Sequence, residues 1–398
     1  MKKIFKFLLF LILFLIPFYV RAEAVEIDST HAIMYNLKDH SIIYEKNKDE
    51  PIKVASMQKI MTTIVAIEHI NNYEESFILD TSIFAGMDPD AAVVGFYNGE
   101  RLTYNDLLYG TMIRSGADAA YGLGVMVSGN EADFVELMNE KARQLGLKNT
   151  VFKNTIGLDD EEQYSTVSDI ATLLEYAMKN EKFKEIVNTP RYTTSDGEIT
   201  FGGPVEKSRK YGMDYFIGGK TGYTEGAGLC LASYASKDDI DYLLVTAGAN
   251  YHLEDQNFID QKTLYDYFME NYSYKQILKK GKVIKKIKTI YADEVEIKAA
   301  RDVTMYLENE ITNDELKYEY IGKEELDRSI KEGDKIGKIT VSYNDTVLYE
   351  EDVLSPITVT FKLKPIFIII LLVLVLSILL HLCLRRRRKI RRMRRNRR

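Results

Sequence analysis

The hydrophobic pattern divides the chain into blocks of different period. Phe7 to Val20 is an almost unbroken apolar run, and Ile366 to Leu384 is a second one without a charged residue. Between them, Ala32 to Tyr35 and Ser41 to Tyr44 are strand-like runs on either side of a polar turn, which predicts a β-hairpin. From Ser56 to about Ile70 the apolar positions take helical spacing. Ser76 to Gly99 is mixed and loop-rich. Asn105 to Val127 is helical again through Leu107, Leu108, Met112, Leu123 and Val127, but Ser115 and Gly116 weaken a helix interior. The pattern therefore predicts two helices with Ser115 presented at the break. Ala132 to Leu147 carries Phe134, Leu137, Met138, Ala142 and Leu145 on one helical face. Asn154 to Val167 is polar and reads as a loop, after which Ser168 is in position to cap a helix through Ala177. Phe216 to Thr224, Leu229 to Ala235 and Tyr242 to Ala247 follow as three strands, implying an antiparallel edge that carries Lys220, and a helix from Asp255 to Tyr272 closes the unit. Short alternating runs with turns between them, such as Tyr343-Asn344-Asp345, fill 275–362 and predict a small β-rich domain.

Charge changes the meaning of the two ends. The net charge of −6 hides an asymmetry, because 385–398 hold ten Arg, one Lys and no acid, so the acid excess lies in the body of the chain. Met1 to Lys6 is basic, the apolar run follows, and Ala22 and Ala24 offer small residues for cleavage, which together predict a secretory signal peptide over residues 1–22. An uncleaved anchor is the alternative. The 19 residues of 366–384, at about 1.5 Å each, come to roughly 28 Å, enough for a bilayer core. With Arg385 to Arg388 directly behind it, this run reads as a membrane span whose tail stays cytoplasmic and touches anionic lipid, leaving the acidic body outside. Nucleic-acid binding by the Arg-rich tail is the competing reading and needs more assumptions. The two cysteines, Cys230 and Cys383, lie in the body and in the apolar run, so the fold rests on its core rather than on a disulfide. No cysteine and histidine cluster has metal-ligand spacing, and no cofactor is expected.

Candidate chemistry begins at Ser56-Met57-Gln58-Lys59. Positions three apart share a helix face, so the Ser56 hydroxyl and Lys59 amine meet, giving a nucleophile beside a base if the lysine pKa is lowered. Taken alone this is a common pattern, since serine is a favoured N-cap and lysine an ordinary helix residue. Two further stretches change its weight: Ser115-Gly116-Ala117 at the helix break and Lys220-Thr221-Gly222 on the predicted strand.

In order and spacing these three motifs resemble those of the penicillin-binding proteins and serine β-lactamases. The surroundings Val54 to Thr62 and Gly219 to Gly228, with Gly157-Leu158-Asp159, Tyr164-Ser165-Thr166 and Asp169, are similar to the low-molecular-mass D-alanyl-D-alanine carboxypeptidases. The resemblance covers about 26–272 closely and 275–362 loosely. It implies an α/β (α+β) β-lactamase/transpeptidase-like catalytic domain, an antiparallel sheet flanked by helices, then a β-rich domain that spaces the site from the membrane. It further implies Ser56 as nucleophile, Lys59 as base, Ser115 as proton relay to the leaving amine, and Lys220 and Thr221 as carboxylate binders. Lys220 would also supply a charge that keeps Lys59 neutral. The backbone N–H groups of Ser56 and Tyr223 would form the oxyanion hole, with Gly222 allowing close approach to the strand. The implied partners are peptidoglycan stem peptides ending in D-Ala-D-Ala, and β-lactams as covalent inhibitors.

Two departures stand out. Ala117 occupies a position where relatives usually have asparagine, which removes hydrogen bonds of roughly 1–3 kcal/mol from the acyl side and predicts an altered donor preference or a lower rate. Several relatives also carry an arginine after the strand that follows Lys-Thr-Gly; Gly248 to Gln261 contains none, leaving the carboxylate to Thr221 and Lys220. A β-lactamase would need a deacylating group, for which the 154–167 loop offers Glu161 and Glu162 without the Glu-x-x-Leu-Asn signature of class A enzymes. A D,D-endopeptidase using the same site, or a wall-binding scaffold inactivated at Ala117, are the remaining alternatives.

Overall fold

The computed structural model describes residues 25–85, 87, 91–360 and 365–395. The predicted signal peptide lies outside the described residues. The described chain divides into two compact units between Glu270 and Asn271.

The first unit is built on a five-stranded sheet. Its strands are β1 (His31–Asn36), β2 (Ser41–Lys46), β3 (Phe216–Thr224), β4 (Gly228–Lys237) and β5 (Ile240–Ala249), in the spatial order β2-β1-β5-β4-β3. All pairs are antiparallel. The hairpin and the three late strands are therefore as the alternation predicts, and Lys220 rides on β3, an edge strand with one backbone side unpaired in the sheet. β5 is almost wholly buried, as a central strand covered on both faces must be. The helix Lys59–His69 is buried from Lys59 to Ile67, mostly apolar but with Lys59, Thr62 and Thr63 inside as well, which makes it the axis of the helical layer. The helices Ala117–Ser128, Glu131–Leu145 and Val167–Met178 surround it, and their apolar faces, with Phe134, Met138, Leu173 and Leu174, close one continuous core. Gln256–Asn271 packs Phe258, Leu264, Tyr265 and Phe268 inward.

Two details differ from expectation. The N-cap of the Val167–Met178 helix is Thr166, whose hydroxyl accepts from Asp169 N at 3.1 Å, whereas Ser168 sits inside the first turn and donates to Lys48 O and Asp49. Thr166 wins because an N-cap must still be extended, and its φ of −129° and ψ of 159° are. Two helices go unsignalled by periodicity, Glu181–Asn188 and Pro204–Lys210, each too short to repeat a pattern.

The second unit is β-rich, as expected. Three small sheets enclose a core that includes Ile277, Ile287, Ile297, Leu326, Ile339 and Val341. It also contains a strand, Tyr272–Leu278, that the pattern hides because it follows the preceding helix without a turn residue. The helix Pro365–Arg395 comes last. Within it Phe367–Arg391 is long and apolar enough to cross a membrane and is exposed throughout, the one such helix among the described residues.

Candidate active site

Ser56 is not the first residue of a regular α-helix. Ala55–Gln58 forms a 3-10 turn that runs straight into the Lys59–His69 helix, and three residues per turn eclipse positions i and i+3. Lys59 Nζ accordingly donates to Ser56 Oγ at 2.9 Å. The turn is entered through Ala55, whose φ of 47° is unfavourable for a residue with a Cβ and costs about 1 kcal/mol. That strain is held in place by close backbone packing. A Cβ at Gly157 would fall 2.3 Å from Ala55 O, and one at Gly222 would fall 3.1 Å from Ala55 Cβ and 3.3 Å from Ser56 N. Gly222 thus lets β3 lie directly against the Ala55–Ser56 backbone.

Ser115 is delivered by a second irregularity. Gly110–Arg114 is a π-helical turn, Ser115 takes a left-handed φ of 65°, and Ala117 starts the next helix. The predicted break is present, and Ser115 Oγ accepts from Lys220 Nζ at 2.8 Å; Lys220 also donates to Thr221 O at 2.8 Å. The site therefore contains two lysine–serine pairs, one local and one spanning 105 residues.

Both lysines are buried, Lys59 2% and Lys220 0% exposed. Lys59 is pushed down from 10.5 to about 7, chiefly by burial, with the negative charge of Asp118 pulling the other way. Lys220 is also held well below its ordinary value, first by burial and then by Lys59. Burial is the largest cause for both lysines, and the two amines act on each other across the site.

The 154–163 loop completes the support of Lys59. Ile156 O accepts from Lys59 Nζ, and Thr155 O from Thr62 Oγ1 at 2.7 Å. Asn154 Oδ1 accepts from Gln58 Nε2 and from Gly157 N, and Gln163 Nε2 donates to Leu158 O. Asp118 escapes motif reading. Its buried carboxylate accepts from the backbone N–H of Val94, Gly95, Phe96 and Ala119, tying the 94–96 segment to the Ser115 turn. Ala117 packs with Ala120 and Ile156 and donates its N–H to Ala92 O at 2.8 Å; it turns a small apolar side chain inward at the third motif position.

Ser56, Ser115, Thr221, Gly222 and Tyr223 line one cleft of about 710 Å³. Glu161 and Glu162 do not line it, and Glu162 pairs instead with Lys153. The wall from Gly248 to Gln261 brings Glu254, Asp255 and Asn257, while Arg114, Lys207 and Lys210 bring cations that sequence reading missed.

A serine hydroxyl touching a buried lysine lowered to about 7, with a second lysine–serine pair across a sheet edge, is an arrangement equipped for acyl transfer. Comparison with known proteins agrees. A family model described as D-alanyl-D-alanine carboxypeptidase matches residues 19–251. The chain belongs to the D-alanyl-D-alanine carboxypeptidase family of serine peptidases. A model described as penicillin-binding protein 5, C-terminal domain, matches 272–360. Among relatives, D-alanyl-D-alanine carboxypeptidase DacF of Bacillus subtilis is 28% identical over 342 residues, covering 84% of this chain and 86% of that one. The D-alanyl-D-alanine carboxypeptidase of Streptomyces sp. strain K15 is 30% identical over 212 residues, 49% of this chain and 72% of that one. Penicillin binding protein 5 from Haemophilus influenzae shares the fold, with a TM-score of 0.61 at 23% identity, covering 84% and 98% of the two chains. The Streptomyces K15 DD-transpeptidase aligns with a TM-score of 0.55 at 25% identity, covering 61% and 97%.

Proposed function

We propose that this peptidase is a membrane-anchored D-Ala-D-Ala carboxypeptidase that removes the terminal D-Ala from peptidoglycan stem peptides through an acyl-enzyme on Ser56. The observation that carries the reading is the 2.9 Å contact between Ser56 Oγ and a Lys59 amine held at about 7. Lys59 takes the hydroxyl proton as Ser56 Oγ attacks the penultimate carbonyl, and the oxyanion is met by the backbone N–H groups of Ser56 and Tyr223. As the peptide bond breaks, the leaving amine receives a proton through Ser115, which Lys220 holds. Thr221 and Lys220 bind the departing residue's carboxylate. Water then hydrolyses the Ser56 ester and regenerates the hydroxyl. β-Lactams acylate the same serine. The first unit and the β-rich second unit lie outside the cell membrane, the export signal is cleaved, and the exposed helix ending in the Arg-rich tail anchors the chain, with the tail on anionic lipid in the cytoplasm.

A β-lactamase reading needs fast deacylation. The position of Glu161 and Glu162 away from the cleft weakens it. The full chain in detergent is incubated with fluorescent penicillin and, separately, with a pentapeptide ending in D-Ala-D-Ala. Long-lived label together with D-Ala release, both lost in Ser56→Ala, is the expected result. Rapid turnover of penicillin would favour the β-lactamase, release of a cross-linked partner peptide the endopeptidase, and neither label nor release a wall-binding scaffold.

A further inference from the structure

The cleft has an unusual charge arrangement for a ligand that ends in a carboxylate. Its two inner lysines are buried and held low, and Lys220 already donates to Ser115 Oγ and Thr221 O. The wall from Gly248 to Gln261 adds acids, Glu254 and Asp255, and no cation. Of the three other cations lining the cleft, Lys207 is committed, since its ammonium pairs with Asp255 and lies 5.3 Å from the centre of the Phe258 ring. The Arg114 guanidinium is exposed and, among the described residues, makes no ion pair or side-chain hydrogen bond. Lys210 makes no ion pair among the described residues, although its charge helps to hold the Asp255 carboxyl low. The elements bearing these two cations are in contact: a Cβ at Gly203, just before the Pro204–Lys210 helix, would fall 2.6 Å from Ile113 Cγ2.

Covalent geometry narrows the choice. The carboxylate of the departing residue is carried on the same α-carbon as the amine that leaves, two bonds from it. A cation that reads the carboxylate must therefore stand beside the group that protonates the amine. Ser115 has that role in the proposed reaction, and Arg114 is the residue next to it. A guanidinium stays charged across the working pH range and matches a carboxylate with two parallel N–H donors. The Lys220 amine, already donating to Ser115 Oγ and Thr221 O, lacks that planar fork, so Arg114 adds to the contact made by Lys220 and Thr221 rather than replacing it.

We propose that Arg114, in a cleft that Lys210 also lines, is the specificity-determining cation and binds the free C-terminal carboxylate of the peptide. This rests on the carboxypeptidase reading of the site. Glu254, which lines the same cleft and makes no ion pair among the described residues, opposes the carboxylate and sharpens the dependence on Arg114.

The test compares one peptide ending in D-Ala-D-Ala with the same peptide as its C-terminal amide, using the full chain in detergent and titrating competent sites with saturating fluorescent penicillin. The wild type should prefer the acid. Arg114→Gln should raise KM for the acid by about tenfold or more while kcat changes little, so that the acid-to-amide preference collapses. Arg114→Lys should recover part of it, and Glu254→Gln should lower KM for the acid. An unchanged acid-to-amide ratio in Arg114→Gln, with sites still labelled, overturns the inference and leaves the carboxypeptidase reading standing. A wild type that labels but cleaves neither peptide overturns both.

Discussion

The two lysine–serine pairs of the cleft look alike and are built differently. Lys59 and Ser56 are three residues apart on one 3-10 turn, so their contact follows from local backbone geometry, and a strained Ala55 aims the turn. Lys220 and Ser115 meet across the cleft from an edge strand and a π-helical break. The first lysine rests on a loop carbonyl and feels the charge of Asp118; the second is hydrogen-bonded to Ser115 and to a carbonyl on its own strand, and the charge that acts on it is that of Lys59. Burial lowers both, but only Lys59 retains an anionic neighbour that keeps it titrating near neutrality. The comparison teaches that one amine can serve as a base while the other serves as a hydrogen-bond donor, although the residue types are the same.

The largest effect that would break this assignment concerns the local pair. Lys59→Gln should lower the rate of Ser56 acylation by about a thousandfold or more, because the hydroxyl then has no base, and stopped-flow measurement with a chromogenic cephalosporin reads it directly. Lys220→Gln should cost less in acylation by penicillin and more in peptide turnover, since it positions the relay and the carboxylate; equal losses in both would erase the distinction between the pairs.

A smaller effect sharpens it. Asp118 raises the Lys59 pKa, so Asp118→Asn should move the acid limb of the acylation profile to lower pH, with Asn keeping part of the contact to Val94 and Gly95. An acid limb unmoved by this change would remove Asp118 from the account.

Stability carries the smallest signature. Lys59 is depressed in the folded state, so between about 7 and its ordinary 10.5 the unfolded chain binds a proton that the folded chain does not. Folding should therefore strengthen as pH rises through that window, and the burdened state is the one at and below pH 7. Lys220, lowered in the same direction, adds to it. Denaturant midpoints at pH 6.5 and 9.5 should differ less in Lys59→Met than in the wild type.

The same contrast explains what was legible in the chain. The Ser56–Lys59 contact was readable because an i, i+3 relation needs no tertiary knowledge, and the hairpin and late strands because alternation survives in them. Ser115 was readable as a break in a helical pattern. The Thr166 cap was misread by two residues, since several hydroxyls crowd that boundary and only backbone dihedrals choose among them. Asp118 and Arg114 carried no signal: one acts through backbone N–H groups 22 to 24 residues away, the other through a cleft wall assembled from separate segments. Their roles are tertiary.

The most direct test of the central claim is the pH dependence of the acylation rate constant of Ser56 between pH 5.5 and 9, measured with penicillin in single turnover. A neutral Lys59 base predicts a rate that rises with pH through a single ionisation near 7 and then levels, with the limb absent in Lys59→Gln. A wild-type rate that is flat across this range, or that rises only toward pH 10, would contradict it.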